Sequence, residues 1–342
     1  MYITINKTNF FHNLDIIAQK TKSKDKIALV LKDNAYGHGL KLIAQLAKEY
    51  GITKAVVQTQ EEANIILDYF DYILVLADSI THPSHPSIRY TINSLENISN
   101  FPKGTKVHLK VDTGMHRNGI MPKELPQAFT LIKQHSLVLE AIFTHHRSAD
   151  ELTSEWFWQN NNFEEIKKTT QHLRKQYNFN PLIFHKDNSA SLFRTHDFNE
   201  DFARVGIAAY GCLELPKALC NTPLLKPVLA LYAQKIATRT LPKGSRIGYG
   251  GKGILTKNTT ITTYDIGYGD GFFRSLSHKY ITPEGIKIIG RISMDNSSFI
   301  SDKDELLIFN DANGIAKQIS TIGYEVLTNL KQNIKRKVIE NI

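Results

Sequence analysis

A lysine at the end of an apolar run is the residue of this chain whose type and position suggest chemistry most directly. Residues 27–31 (Ile-Ala-Leu-Val-Leu) read as a buried strand, and Lys32 follows them at once. Burying an ammonium group at the mouth of a strand is costly, so a lysine there is typical of an amine that is neutral or covalently engaged. The position suggests a lysine that forms a Schiff base with an aldehyde cofactor. The alternative is a lysine that ends a strand and reaches water.

The residues after Lys32 predict how it is positioned. Gly37 and Gly39 flank His38 in a predicted turn, and apolar residues at 40, 43, 44 and 47 then predict an amphipathic helix that ends near Gly51. The order is therefore strand, reactive lysine, glycine turn and helix.

Alternating strands and helices are predicted over about the first two thirds of the chain. Apolar runs bounded by turn residues lie at 27–31, 55–57, 73–77, 88–92, 107–111, 139–144, 182–185 and 202–207. Eight strands in this pattern indicate an α/β fold, a (β/α)8 TIM-type barrel, whose chemistry gathers at the C-terminal ends of its strands. A doubly wound open sheet is the alternative.

The rest of the chain predicts a second, mainly β domain. Segments 228–240, 259–266, 286–293 and 306–309 are rich in β-forming residues, and 316–330 predicts a last helix. The alternation at residues 2–5 predicts a strand that joins this domain. We expect the barrel to span 8–224 and the C-terminal β domain to span 225–342, together with 1–7.

Composition narrows the classes of partner. The formal net charge of the 342 residues is +9, but apart from the tail 331–337 the basic residues are scattered, so a surface that favours small anions explains the charge as well as a nucleic-acid partner would, and no nucleic-acid motif occurs. No apolar run approaches a membrane span and the N-terminus lacks an apolar leader, so we expect a cytoplasmic protein. Cys212 and Cys220 are expected to be free thiols, and no metal ion is expected.

Nine segments of this chain together resemble the alanine racemases, which depend on pyridoxal 5′-phosphate (PLP). They are 32–39 (KDNAYGHG), 110–117 (KVDTGMHR), 144–145 (TH), 185–190 (HKDNSA), 204–207 (RVGI), 248–250 (GYG), 266–271 (IGYGDG), 290–295 (GRISMD) and 324–326 (YEV). Each is weak alone, whereas their order and combination are specific. The resemblance implies racemisation of alanine, a barrel with a β domain, and D-alanine for peptidoglycan.

The same resemblance implies roles for residues. Lys32 would carry PLP and act as one base, and Tyr249 of the partner subunit would act on the opposite face, in a homodimer with shared active sites. Inverting a stereocentre is simplest with two such bases. Further cofactor-binding residues would be Tyr36, His145, His185, Asn188, Ser189, Arg204, Gly206, Ile207 and Tyr324. Arg117, Met294 and Tyr268 would contact the substrate, and Lys110 would be carbamylated, with an unmodified strand lysine as the alternative.

Several alternatives stay open at the level of sequence. His146 and Arg147 stand where the family usually has an aromatic and a small residue, so a broad-specificity racemase acting on serine, lysine or arginine is the runner-up. A PLP decarboxylase for basic amino acids fits less well, because Arg204 matches the family position at the pyridine nitrogen. A non-catalytic PLP-binding module would lack the β domain.

Overall fold

The computed structural model describes residues 1–78, 80, 85–219 and 223–340. Its strands are β1 (Tyr2–Asn6), β2 (Ile27–Val30), β3 (Lys54–Val57), β4 (Tyr72–Val75), β5 (Ile88–Ile92), β6 (Lys106–Lys110), β7 (Val138–Phe143), β8 (Ile183–His185), β9 (Ala203–Val205), β10 (Leu229–Leu241), β11 (Arg246–Ile247), β12 (Gly253–Ile254), β13 (Thr259–Tyr264), β14 (Ile288–Ile289), β15 (Ser297–Phe299), β16 (Glu305–Phe309) and β17 (Arg336–Ile339).

Seven helices lie between the first nine strands of the described chain, and two more lie near its C-terminus. They are α1 (Lys7–Thr21), α2 (Lys32–Tyr36), α3 (Leu40–Tyr50), α4 (Gln60–Ile65), α5 (Leu125–Gln134), α6 (Glu155–Tyr177), α7 (Ser189–Arg194), α8 (Ala312–Ile319) and α9 (Gly323–Thr328), with short 3₁₀ turns between them.

Eight parallel strands form the barrel. Their order is β8-β7-β6-β5-β4-β3-β2-β9, and each neighbouring pair is parallel. Where β8 and β9 meet, the amide of Arg204 donates to the carbonyl of Asp187 at 2.9 Å, and the amide of Asp201 donates to that of Phe184 at 3.2 Å. The predicted (β/α)8 barrel is confirmed, and the open-sheet alternative is wrong.

Burial explains why the barrel could be predicted. All four residues of β2 are buried, as expected for a parallel strand covered on both faces. Helix α3 buries Leu40, Ile43, Ala44, Leu46 and Ala47 on one face and ends before Gly51, whose φ of 100° suits glycine. Each of the eight predicted strands overlaps an observed one.

The second sheet is built mainly from the C-terminal part of the chain. Its order is β14-β15-β13-β10-β1-β17, and β16 also pairs with β10. Strand β1 runs antiparallel to β10 and parallel to β17, so the N-terminal strand joins the β domain as predicted. Apolar residues of both parts belong to one large buried cluster.

Three expectations need correction or lie outside the described residues. The single helix predicted for 316–330 is wrong: α8 and α9 are separated at Ser320, whose φ is 58°. The strand predicted for 286–293 is only Ile288–Ile289. Cys212 is a buried free thiol, whereas Cys220 lies outside the described residues. In the described ranges, the structure contains no helix with the length and apolar character needed to cross a bilayer.

Candidate active site

One cavity opens at the C-terminal ends of the barrel strands. Its volume is about 630 Å³, and its wall includes Lys32 after β2, Lys110 at the end of β6 and Arg204 in β9. Side chains at these strand ends share one space because the strands are parallel. The residues predicted from sequence that line it are Lys32, Tyr36, Lys110, Arg117, His145, Asn188, Ser189, Arg204, Gly206, Ile207 and Tyr324.

Lys32 begins α2, which is a turn of left-handed helix. The φ angles of residues 33–35 lie between 54° and 56°, a region that costs free energy for residues other than glycine. Hydrogen bonds hold this turn: the amide of Asp33 donates to Glu62 Oε1 at 2.7 Å, and the amide of Leu40 donates to Asn34 Oδ1 at 2.8 Å. The sequence predicted a turn here but not its handedness.

The Lys32 side chain is 32% exposed, and its Nζ lies 3.6 Å from the Asp33 carboxylate. A single chain therefore does not bury this amine as fully as the apolar run before it suggested. The amine can be reached from the cavity, which a covalent link to an incoming aldehyde requires.

Arg204 is buried beside the cavity and held from three sides. Its Nη1 donates to His185 Nδ1 at 2.6 Å, and its Nη2 donates to the carbonyl of Thr144 at 2.7 Å and lies 3.4 Å from His145 Nδ1. Burial lowers the pKa of Arg204 to about 10, so the guanidinium stays charged at neutral pH. Burial, reinforced by this cation, holds the pKa of both histidines well below the usual value. Both imidazoles are therefore neutral at pH 7.

Two tyrosines and a glycine form the end of the cavity near α7 and α9. The rings of Tyr36 and Tyr324 meet edge to face with centroids 5.7 Å apart. A Cβ on Gly206 would lie 2.4 Å from Tyr36 Cε2, so only glycine leaves room for that ring. Burial raises the pKa of both phenols, which keeps them protonated and able to donate hydrogen bonds.

Ser189 and Asn188 lie at the start of α7, next to the same end of the cavity. Ser189 Oγ accepts from the amides of Gly206 at 3.2 Å and Ala208 at 3.4 Å. Asn188 Oδ1 accepts from the amide of Ser191 at 2.9 Å, so Asn188 also caps the helix.

Lys110 is buried in the wall of the cavity, near Arg117. Burial and the nearby cations Arg117 and Arg204 lower the pKa of Lys110 to about 7. Its Nζ donates to Asn118 Oδ1, and Asn118 Nδ2 in turn donates to Asn93 Oδ1 at 2.9 Å. Much of this amine is therefore neutral, and nucleophilic, near physiological pH.

Several polar residues of the wall were not predicted from the sequence. Gln58, Thr91, Asn93 and Asn118 line the cavity, and the Thr91 hydroxyl is buried with no hydrogen-bond partner among the described residues. Gln58 and Asn93 directly follow predicted barrel strands, Thr91 is the last residue but one of a predicted strand, and Asn118 directly follows the segment 110–117. Polar residues at such positions were the signal that could have identified them.

The structure does not bring the predicted β-domain residues to this cavity within one chain. Tyr249, Tyr268 and Met294 are 67%, 42% and 56% exposed, and none of them lines its described wall. The amide of Tyr268 donates to the carbonyl of Ser293 at 3.0 Å, and that of Gly269 donates to the carbonyl of Met294 at 2.8 Å. Tyr268 and Met294 therefore share one exposed surface of the β domain.

The chain matches two family models that together span most of its length. The model described as "Alanine racemase, N-terminal domain" matches residues 5–214, and "Alanine racemase, C-terminal domain" matches residues 228–338. Among curated relatives, an alanine racemase from a Nitratiruptor species is 47% identical over 99% of each chain. One from Campylobacter curvus is 40% identical over 98% of this chain and 99% of the relative.

Solved structures have the same fold. The alanine racemase of Clostridium difficile 630 superposes with a TM-score of 0.88 and 29% identity, covering 99% of this chain and 96% of its own. A Bacillus anthracis alanine racemase with bound L-Ala-P superposes with a TM-score of 0.88 and 26% identity, covering 99% of this chain and 95% of its own. A Bartonella henselae alanine racemase with covalently bound pyridoxal phosphate superposes with a TM-score of 0.82 and 25% identity, covering 99% of each chain.

Proposed function

We propose, from the premise that this chain belongs to the alanine racemase family, that it holds PLP on Lys32 and pairs that lysine with Tyr249 of the partner subunit. The reaction is the interconversion of L-alanine and D-alanine. The curated relatives at 38–47% identity carry the name alanine racemase, so the broad-specificity alternative is not favoured. The product D-alanine would supply peptidoglycan.

One observation carries the assignment of residues: the described wall of the cavity gathers two lysines, Lys32 and Lys110, the donor-only Arg204 and hydroxyl groups, whereas Tyr249 of the same chain is not part of it. This donor set fits PLP. Lys32 would hold the cofactor covalently, and the hydroxyls of Tyr36, Ser189 and Tyr324, with the Ile207 amide, would bind its phosphate. A Cβ on Gly206 would lie 2.8 Å from the Tyr36 hydroxyl oxygen, so glycine lets this hydroxyl lie close to the backbone that would bind the phosphate.

When bound, PLP draws the electron pair of the Cα–H bond away from Cα. Arg204 would donate to the pyridine nitrogen, and because arginine keeps its proton, that nitrogen would stay unprotonated. His185 would orient Arg204 through their 2.6 Å hydrogen bond. This arrangement of Arg204 and His185 would favour return of the proton to Cα, which is what a racemase needs.

Proton transfer on the two faces would be divided between subunits. Lys32 Nζ would remove or return the proton on one face of Cα, and the phenol of Tyr249 of the partner subunit would serve the other face. Arg117 and the amide of Met294 of the partner subunit would hold the substrate carboxylate, with Tyr268 at the entrance. The exposure of Tyr249, Tyr268 and Met294 supports a homodimer in which a second copy covers this surface.

The coarser features of the protein are consistent with this interpretation. The barrel at 8–224 and the β domain at 225–342 with 1–7 are our proposed division, and a cytoplasmic location is our proposal too. Neither nucleic acid nor membrane is proposed as a partner.

Reduction of the holoenzyme with borohydride tests where PLP is held. The reduced link is stable to digestion, so we expect one modified peptide, that containing Lys32, in a tryptic digest analysed by mass spectrometry. Lys110 lines the same cavity and serves as the internal comparison. A phosphopyridoxyl group on Lys110 or any other lysine would refute the assignment.

Carbamylation of Lys110 is expected to depend on pH. Only the neutral amine attacks CO2: the Nζ lone pair forms the N–C bond, one proton leaves to solvent, and a single negative charge results. Because the pKa of Lys110 is about 7, carbamate at constant dissolved CO2 should increase as the pH rises through about 7. The negative group would then lie beside Arg117 as a charge-assisted contact.

Carbon-13 NMR with labelled CO2 measures this carbamate directly. We expect one carbamate resonance that Lys110→Arg abolishes and Lys106→Arg retains, since Lys106 is a less buried lysine on the same strand. A resonance that persists in Lys110→Arg, or no resonance above pH 8, would show that Lys110 stays a free amine.

A further inference from the structure

A line of hydrogen-bonded side chains crosses the barrel interior behind Arg204. His185 Nε2 lies 3.0 Å from His108 Nδ1, and His108 Nε2 lies 2.5 Å from the hydroxyl of Tyr72. With the Arg204–His185 contact of 2.6 Å, four side chains from β9, β8, β6 and β4 are connected. Barrel interiors are normally filled by apolar side chains, so a polar line of this length calls for a reason.

The direction of every bond in this line follows from Arg204. A guanidinium only donates, so His185 Nδ1 must accept and the proton of this neutral ring lies on Nε2. His185 Nε2–H then donates to His108 Nδ1, which places the proton of His108 on its own Nε2. That proton points to the Tyr72 oxygen, which accepts it. If the bonds ran in the opposite direction, the N–H of His185 Nδ1 would face an N–H of Arg204, and two donors would repel each other.

Both rings are held in the neutral form that this pattern needs. His108 and His185 are fully buried, and burial with the nearby cations Arg89 and Arg204 lowers the pKa of His108 to about 3. His185 lies between the rings of Phe143 and Phe202, with centroids 4.6 Å and 4.3 Å away and interplanar angles of 13° and 24°. Stacking fixes the plane of His185, but not which nitrogen faces Arg204.

Tyr72 is anchored at the other end of the line. The Arg89 guanidinium lies 4.0 Å from the centre of the Tyr72 ring, and Arg89 Nε donates to Glu140 Oε2 at 2.8 Å. A cation over an aromatic face is attractive, and the ion pair holds that cation in place. The position of the Tyr72 oxygen is therefore fixed by groups outside the line.

We propose that His108 and Tyr72 are positioning residues of the racemase, which hold His185 with Nδ1 towards Arg204 and so fix the guanidinium at the cofactor ring. His108 supplies the acceptor that keeps the His185 ring from turning over, and Tyr72 supplies the acceptor that does the same for His108. The part of this proposal that concerns the cofactor rests on the proposed function. The part that concerns the two histidines does not.

The decisive comparison is between two substitutions of His108. In His108→Gln the amide can accept from His185 with its oxygen and donate to Tyr72 with its nitrogen, whereas in His108→Leu it can do neither. Tyr72→Phe removes the last acceptor. Tyr177→Phe is the matched control, because it removes a hydroxyl that bonds Thr130 at 2.8 Å on the outer helices.

Histidine-labelled nitrogen-15 NMR of the full-length holoenzyme reads the rings directly. In the wild type we expect both His185 and His108 protonated on Nε2, each with a hydrogen-bonded, slowly exchanging proton. The His185 signal should persist in His108→Gln and disappear in His108→Leu, and the His108 signal should disappear in Tyr72→Phe. Protonation of His185 on Nδ1 in the wild type would overturn the proposal while leaving the site of PLP untouched.

Kinetics and cofactor absorbance then test the consequence for Arg204. Removal of an outer hydrogen-bonding partner typically costs about 10–100-fold, so kcat in His108→Leu should fall in that range with the KM for alanine within about twofold. The absorbance maximum of bound cofactor should shift as well, while His108→Gln and Tyr177→Phe stay near the wild type. Wild-type kcat and absorbance in a folded His108→Leu enzyme would refute the positioning role. If borohydride reduction attached the cofactor to a lysine other than Lys32, the proposed function would be refuted instead.

Discussion

The Lys32→Ala variant should lose racemisation of alanine and, with it, the covalently held cofactor. A positioned proton-transfer group contributes about 10²–10⁴-fold to rate, so activity should fall at least that far, since the same residue also holds PLP. The fold should survive, because the Lys32 side chain is 32% exposed and its contact with Asp33, at 3.6 Å, is a partly exposed pair that stabilises little.

A coupled assay that detects D-alanine formed from L-alanine measures this loss. Lys106→Ala is the matched control, because Lys106 begins strand β6, at the end away from the cavity. Among the described residues its Nζ donates to the carbonyl of Pro86 and lies 3.9 Å from the Glu140 carboxylate. Adding a small primary amine to Lys32→Ala should restore part of the rate if the missing group is an amine base. Wild-type activity in Lys32→Ala would exclude Lys32 from both roles.

The barrel could be predicted because its strands are short, continuous apolar runs that end in polar residues. The run 27–31 corresponds to Ile27–Val30, and 182–185 corresponds to Ile183–His185. Burial on both faces produces such runs, so single segments are recognisable without any knowledge of the partner strands. The weaker prediction was the β domain, where 286–293 yields a two-residue strand because irregular backbone follows it.

Backbone handedness could not be predicted from residue types. Asp33, Asn34 and Ala35 take left-handed φ angles although none is glycine, because Glu62 and the start of α3 hold the turn from outside. Ser320 likewise takes a φ of 58° inside a segment whose pattern predicted one continuous helix. At Asp33 the contact with Glu62, distant in sequence, helps to decide the local conformation, whereas Ser320 caps α8 through a local bond from its amide to the carbonyl of Ala316.

Residues that position another side chain, without contacting substrate or cofactor themselves, could not be identified from the sequence either. His108 lies inside a strand and Tyr72 begins another, and each would pass for an ordinary core or strand-end residue. Only closure of the barrel brings them to His185. The motifs identify side chains that face the cavity, whereas the groups behind those side chains emerge from the tertiary structure.

A pair of mixed dimers should show whether each active site is built from two chains. Differently tagged copies of Lys32→Ala and Tyr249→Phe can be expressed together and purified as the mixed dimer. If each site takes Lys32 from one chain and Tyr249 from the other, one site contains both mutations and the second contains neither. By the twofold symmetry of such a dimer, the mixed dimer should have about half of the wild-type activity, although each parent dimer is nearly inactive.

The matched control places both mutations on one chain and pairs it with a wild-type copy. The dimer then has the same composition, but each shared site carries one defect, so activity should be close to that of the parent mutants. Sites contained within single chains would give the opposite result, with the second dimer half active and the first inactive. The exposed Tyr249, which does not line the described wall of the cavity holding Lys32 in its own chain, is the reason we expect the first outcome.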